Sequence, residues 1–353
     1  MTLTASAFFL DKAKEPLVQR DLALTANPGE VLLEVLACGV CHTDLGYADG
    51  SVAPKHALPL VLGHEIVGKV VEAGAGAESW MGKKVMVPAV MPCLECAFCK
   101  SGHQGMCPHQ KMPGNDVHGG FSTHVVVPAR TLVDLSGAPA GVDLRALSVV
   151  ADAVSTAWQA MKKAQVTTGD AVLVVGAGGV GGFLSQLAKA EGTRVAAMDV
   201  DDRRLAALKE VCDVTTVNVK DRPLKDVRKE IQGIVKGWEV PSFRWKIFEC
   251  SGTTPGQQLA YALMGPAATM VVVGFTPQPA EFKLANIMAF DATVHGTWGC
   301  PPARYAEVLP HIYAGRVKLD PFVTYVPLPD ANKVLDDMAH HRLDKRAVLL
   351  PHP

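Results

Sequence analysis

Val172–Gly182 reads VLVVGAGGVGG, and this stretch decides the fold. An apolar run ends at Gly176, Gly178 and Gly181, spaced G-x-G-x-x-G, and FLSQLAKAEG follows at helical spacing. Strand, glycine turn and helix in that order let a pyrophosphate approach the backbone at a helix N-terminus. Gly179 and Val180, inside the turn, are assigned to the same cofactor contact. Beyond it, TRVAAMD and DRRLAALKEV repeat the alternation, and further strands are expected at Trp245–Glu249 and Thr269–Gly274. Alternation of this kind builds an α/β unit, a doubly wound (Rossmann-type) parallel sheet covered by helices. Asp199 closes the second strand, where a carboxylate binds a ribose 2′-hydroxyl and repels a 2′-phosphate. NAD is therefore expected rather than NADP. Arg203 and Arg204 pull the other way, because arginine just past the acid can receive a phosphate; they also read as the solvated first turn of the next helix.

On the N-terminal side the character is different. The first part of the chain is rich in Val, Gly and Pro, with short apolar runs at Glu30–Leu36, Val67–Glu72 and Lys84–Pro88 that read as strands. Helical spacing begins at Ser155–Ala164 (STAWQAMKKA), and Pro/Gly-rich β character returns from Val294. The simplest organisation is a β-rich domain over 1–154 and an inserted nucleotide-binding domain over 155–293. A C-terminal segment, 294–353, spans the nucleotide-domain edge and returns to the first domain.

The chain has 353 residues, 48% hydrophobic and 20% charged, with 34 Lys+Arg against 35 Asp+Glu. Such a composition supports a sizeable core. Without a basic excess, nucleic acid and anionic membrane surfaces are not expected as partners. No apolar run approaches the roughly 18 residues of a spanning helix. The N-terminal MTLTASAFFLDKAK lacks a basic region ahead of its apolar run. A soluble cytoplasmic protein is expected.

Four of the nine cysteines, Cys93, Cys96, Cys99 and Cys107, read C-x2-C-x2-C-x7-C within a lobe over 92–108. In a cytosolic chain such a cluster points to metal rather than disulfides. Four thiolates make a closed tetrahedral zinc site with a structural role. The short run also matches part of a ferredoxin pattern, although the x7 gap and the lone lobe favour zinc. Cys41 stands 23 residues ahead of His64, with Glu65 beside it. A thiolate and an imidazole are two of the three protein ligands that a catalytic zinc needs next to its open position. Glu65 is placed to stand behind the metal or exchange onto it. Cys38 and Cys250 read as small buried hydrophobes.

On these motifs the chain resembles the zinc-containing medium-chain alcohol dehydrogenases over essentially its whole length. Gly63, His64, Glu65, Gly68 and Gly74 match the family signature G-H-E-x2-G-x5-G. The resemblance implies a GroES-like β-rich catalytic domain ahead of the Rossmann domain, NAD as cofactor, and two zinc ions per subunit. Asp152, in VADAVSTAW, falls where most relatives carry a second cysteine ligand, so the implied catalytic set is Cys41, His64 and Asp152. Carboxylate in place of thiolate makes the zinc a harder Lewis acid. By this resemblance, zinc polarises the substrate oxygen and hydride passes from the carbinol carbon to NAD. Thr43 matches the residue that accepts the alcohol proton, His42 is a cofactor contact and Asp44 a support. Gly46 stands where many relatives have a relay histidine, leaving Tyr47, His42, cofactor hydroxyls or water for the proton. Arg204 joins the cofactor contacts. Relatives form homo-oligomers, so a tetramer is favoured, joined at the sheet edge near Val294–Gly299; Trp298 suits either that interface or a substrate pocket.

APKHALPLVLGHEIVG, MPGNDVHGGF, the Asp152 segment and NIMAFDATVHGTWGCPP resemble one subgroup in particular. It oxidises a ring allylic alcohol carried as a CoA thioester, 6-hydroxycyclohex-1-ene-1-carbonyl-CoA, to the 6-oxo enone in anaerobic benzoyl-CoA degradation. A CoA substrate needs cations for its phosphates. Lys111, Arg130, Arg304 and Arg316 are nominees, and each reads as well as solvated surface charge. The alternatives are a general secondary-alcohol or polyol dehydrogenase and, from another class, a non-catalytic NAD-binding scaffold.

Overall fold

The computed structural model describes residues 2–352. The chain divides into two compact units. One comprises the residues up to Ser155, Gly299–Glu307 and those from Phe322 on; the other comprises Thr156–Trp298 and Val308–Pro321.

The second unit is built on six parallel strands. Across the sheet they run Thr215–Asn218, Arg194–Asp199, Ala171–Val175, Trp245–Glu249, Thr269–Val272, Thr293–Gly296. Chain order therefore reverses between Ala171–Val175 and Trp245–Glu249, the switch point of a doubly wound sheet. Ala171–Val175 is buried at every position, as a strand covered on both faces must be. Leu173, Ile247 and Met270 from the strands meet Ile231 and Leu259 from the helices in one apolar core.

In the first unit Glu30–Gly39 is the central strand of a seven-stranded sheet. It pairs antiparallel with Glu65–Ala73, with Arg346–Leu350 and with His124–Pro128. Leu33, Val35, Ile66, Phe121 and Leu349 form the core beneath. Register does the positioning. Cys38 faces Ile66 and Gly39 faces Glu65 across the ladder, so the residues just past those two strand ends, Cys41 and His64, are brought side by side.

One expectation requires correction. The last 60 residues were expected to be β in character, but they contain helices at Tyr305–Tyr313 and Ala331–Ala339. Val334, Leu335 and Met338 give the second helix a buried face. Pro310, inside the first, masks its helical pattern in the sequence.

Candidate active site

Cys41 caps the helix His42–Asp49. Its sulfur accepts the Thr43 N–H (3.2 Å), while the Asp44 carboxylate accepts the Cys41 N–H (2.9 Å), a reciprocal capping box. The other Asp44 oxygen accepts the Gly63 N–H at 3.0 Å and lies 3.6 Å from His64 Nδ1. One buried carboxylate thus fixes the loops that carry two of the donors. Asp152, the third, lies between the short turn Ala146–Ala151 and the helix Ala153–Lys163.

The donor atoms converge. Cys41 Sγ is 3.0 Å from His64 Nε2, which is 3.6 Å from Asp152 Oδ2. Donors on one tetrahedral zinc stand about 3.5 Å apart, so the three fit a single ion with a position left open. Burial alone would pull His64 down. Cys41 and Asp44, then Asp152, outweigh it and hold the imidazole well above its ordinary value. Anionic groups crowded around a buried ring describe a site that calls for a cation. His64 Nδ1 has no hydrogen-bond partner among the described residues, and Asp44 is the acid poised behind it.

Glu65 is fully buried, and hydrogen bonds engage both of its oxygens. Its carboxylate accepts Arg346 Nε (2.9 Å), Arg346 Nη2 (2.5 Å) and the Ala153 N–H (3.3 Å). Burial pushes it up to about 7 against the pull of Arg346. Gly39 makes the room: a Cβ there would lie 2.0 Å from Glu65 Oε2. Sequence reasoning missed Arg346. The available signal was a lone arginine opening the apolar strand RAVLL.

Tyr47, one of the routes considered for the proton, is engaged elsewhere in this structure. It is buried, and its hydroxyl donates to Asn115 Oδ1 at 2.9 Å. The same oxygen accepts the Lys55 N–H (3.1 Å), and the Asn115 carbonyl accepts the His56 N–H (2.8 Å). Tyr47 and Asn115 therefore clamp the loop that follows the capped helix, and burial pushes the phenol up to about 12. Thr43 is half-buried on the first helical turn and His42 beside it is exposed.

In the lobe, Cys93–Cys99, Cys96–Cys99, Cys96–Cys107 and Cys93–Cys107 sulfurs are 3.9, 3.6, 3.8 and 3.5 Å apart. Thiolates on one zinc stand about 3.8 Å apart, whereas an iron–sulfur cluster spreads its cysteines wider. The lobe fits a single ion. Backbone N–H groups of Glu95 and Cys96 draw the Cys93 thiol down to about 6.

In the other unit, Gly176 takes φ +93°, and a Cβ on it would lie 2.6 Å from Ser251 N. Gly178 caps the helix Gly179–Ala190 with no side-chain bond, leaving first-turn N–H groups as donors. Gly181, in that first turn, packs against the Gly176 carbonyl. Asp199 is buried at its strand end. It accepts the Ala177 N–H (2.7 Å) and the Asp201 N–H (3.0 Å) and keeps lone pairs for a hydroxyl. Arg203 is engaged with Asp201 (3.0 Å), and Arg204 is the arginine beside Gly178. Of the four cations named for CoA phosphates, Arg130 donates to the Pro92 carbonyl and Arg304 faces Glu307, while Lys111 and Arg316 are exposed.

Comparison with known proteins agrees with this geometry. Residues 27–137 match the alcohol dehydrogenase GroES-like domain, and residues 179–314 match the zinc-binding dehydrogenase domain. An alcohol dehydrogenase of Geobacillus stearothermophilus is 31% identical over 324 residues, 91% of each chain. A sorbitol dehydrogenase of Halalkalibacterium halodurans is 28% identical over 87% of this chain and 88% of its own. The crystal structure of an alcohol dehydrogenase from Thermotoga maritima superposes with a TM-score of 0.88 at 25% identity, over 99% of this chain and 100% of that one. With the metal donors and the glycine turn in that family's order, the chain belongs to the zinc-containing medium-chain alcohol dehydrogenases.

Proposed function

We propose that this protein oxidises a secondary alcohol with NAD, and reduces the matching ketone, at a zinc held by Cys41, His64 and Asp152. The observation that carries the reading is that three-donor convergence, beside Thr43 on the first turn of the capped helix. Zinc bound there supplies Lewis acidity toward a hydroxyl or carbonyl oxygen, and NAD supplies the hydride acceptor. Thr43 takes the substrate proton at Oγ1. With Gly46 at the usual relay position and Tyr47 committed to Asn115, the proton leaves through exposed His42 or water. Asp199 selects NAD by occupying the place of a 2′-phosphate. Glu65 and Arg346 keep the wall of the metal pocket in place.

A polyol is supported by the sorbitol dehydrogenase relative. The narrower substrate, the ring allylic alcohol of a CoA thioester, rests on the four quoted stretches alone. NADH absorbance separates the readings, with simple secondary alcohols, polyols, 6-hydroxycyclohex-1-ene-1-carbonyl-CoA and its free acid as substrates. Turnover of the thioester alone establishes the narrow reading. Turnover of simple alcohols or polyols with the thioester ignored discards it, and no NADH from any of them overturns the proposal.

The protein is further proposed to work as a homo-oligomer in a reducing compartment, the cytoplasm. All nine cysteines are free, and the lobe needs thiolates. The strand Thr293–Gly296 is an open sheet edge, and Leu284, Met288, Val294 and Trp298 are exposed apolar residues on or near it in the chain. A second copy pairing there would continue the sheet.

A further inference from the structure

The strand Trp245–Glu249 ends on a carboxyl group that the reading above does not use. Glu249 is fully buried. Its Oε1 accepts three bonds from the turn just ahead: Ser251 N–H (2.8 Å), Ser251 Oγ–H (2.6 Å) and Gly252 N–H (3.1 Å). Its Oε2 is buried with no hydrogen-bond partner among the described residues and faces Gly274, where a Cβ would lie 3.0 Å away. Burial pushes the carboxyl above its ordinary value. Removing a carboxyl from water at this depth is costly, so its placement calls for a reason.

The hydrogen bonds supply one. Ser251 Oγ is 3.0 Å from Thr253 Oγ1, which accepts the Gly256 N–H at 3.1 Å and so caps the helix Thr254–Ala262. The Glu249 carbonyl accepts the Val273 and Gly274 N–H groups, each at 2.9 Å. Glu249 therefore ties down the turn after its own strand and the loop after the next one. These segments are pressed together. A Cβ at Gly274 would lie 2.2 Å from Gly252 N, and one at Gly252 would lie 2.7 Å from Phe275 O. The same turn closes on the glycine-rich loop, since Ser251 N is the atom that a Cβ at Gly176 would strike.

The position matters because the sheet reverses between Ala171–Val175 and Trp245–Glu249. A dinucleotide lies across that reversal, its pyrophosphate on the glycine turn and one mononucleotide on each side. Asp199 and Arg204 belong to the side of Arg194–Asp199, so that side takes the adenosine. Ser251, Gly252 and Phe275 follow the strands on the opposite side. We propose that Glu249 is a positioning residue for the nicotinamide half of the cofactor, acting by holding the Ser251–Gly252 turn between the Gly176 loop and Gly274–Phe275. The inference rests on the dinucleotide reading above.

The test uses the intact, zinc-loaded protein and two probes. NADH reports the nicotinamide through its emission on binding, and ADP reports the adenosine side alone. Glu249→Ala is expected to weaken NADH by about 10- to 100-fold, the cost of ordering one or two backbone residues of a loosened turn on binding, and to reduce the emission change. ADP affinity stays within about twofold. Glu249→Gln keeps an acceptor at the Oε1 position and recovers most of the NADH affinity. Equal losses for NADH and ADP, or unchanged NADH binding, overturn the proposal. If Glu249→Ala does not fold, Ser251→Ala decides it, with NADH weakened by about three- to tenfold and ADP unaffected; unchanged NADH binding there overturns the proposal too. Wild-type protein that binds neither probe overturns the dinucleotide reading and this inference with it. Wild-type binding of both, with variants indistinguishable from it, overturns only this inference.

Discussion

Arg346 shows what one residue contributes that no motif announces. Its side chain is 9% exposed and lies against the fully buried Glu65, next in sequence to the candidate metal donor His64. Deleting one partner of such a pair strands the other charge in a dry site, which typically costs about 3–5 kcal/mol. Arg346→Ala is therefore expected to lower the urea midpoint sharply, and adding Glu65→Gln to restore much of it. A single variant as stable as wild type would show that the pair holds nothing. Asp152 makes a separate prediction. Asp152→Asn removes the negative charge of the third donor, so metal analysis should show the catalytic zinc lost, the lobe zinc kept, and NADH formation gone. Retention of both ions would remove Asp152 from the ligand set. Cys41, His64 and their spacing were legible in the sequence because a metal signature is local. Arg346 was not, because its partner is 281 positions away.

At the scale of elements, the zinc lobe is the piece with the least apolar support. Leu94, Phe98 and Met106 point outward, while Cys99 and Cys107 are buried. Metal binding must then supply the ordering energy that packing does not. Cys107→Ser, or a chelator, is expected to open the lobe to trypsin at Lys100 while the rest of the chain resists cleavage. Zinc added back after chelation should restore protection. Equal resistance with and without metal would place the ordering energy in packing. The parallel strands were the most readable elements. Trp245–Glu249 was expected and found at those bounds. Ala171–Val175 was the plainest, because a strand buried on both faces is a continuous apolar run. The C-terminal helices escaped because proline and glycine in that segment outweigh a short buried stripe in any local reading.

For the molecule as a whole, each unit has its own apolar core and its own piece of the chemistry. The open edge at Thr293–Gly296 is the feature that bears on assembly. Leu284 and Met288 are 70% and 76% exposed, so replacing both with glutamate removes nothing from the core. Sedimentation is expected to move from an oligomer to a monomer in that double variant, with zinc content unchanged. An unchanged oligomer would put the interface elsewhere, and a monomeric wild type would discard the assembly proposal.

The sequence by itself determined the doubly wound sheet, the glycine turn, the acid that follows it, and the two sets of metal donors. Each of these is written in short-range spacing: apolar runs between turns, glycines at fixed intervals, cysteines close enough to share an ion. Tertiary structure alone decided which neighbours those groups keep. Antiparallel register sets Gly39 against Glu65 and so brings Cys41 beside His64. Folding also commits Tyr47 to Asn115, Glu65 to Arg346 and Glu249 to the turn ahead of it. The physical reason is that a buried polar group must find a partner wherever the fold brings one within about 3 Å, and chain distance puts no limit on where that is.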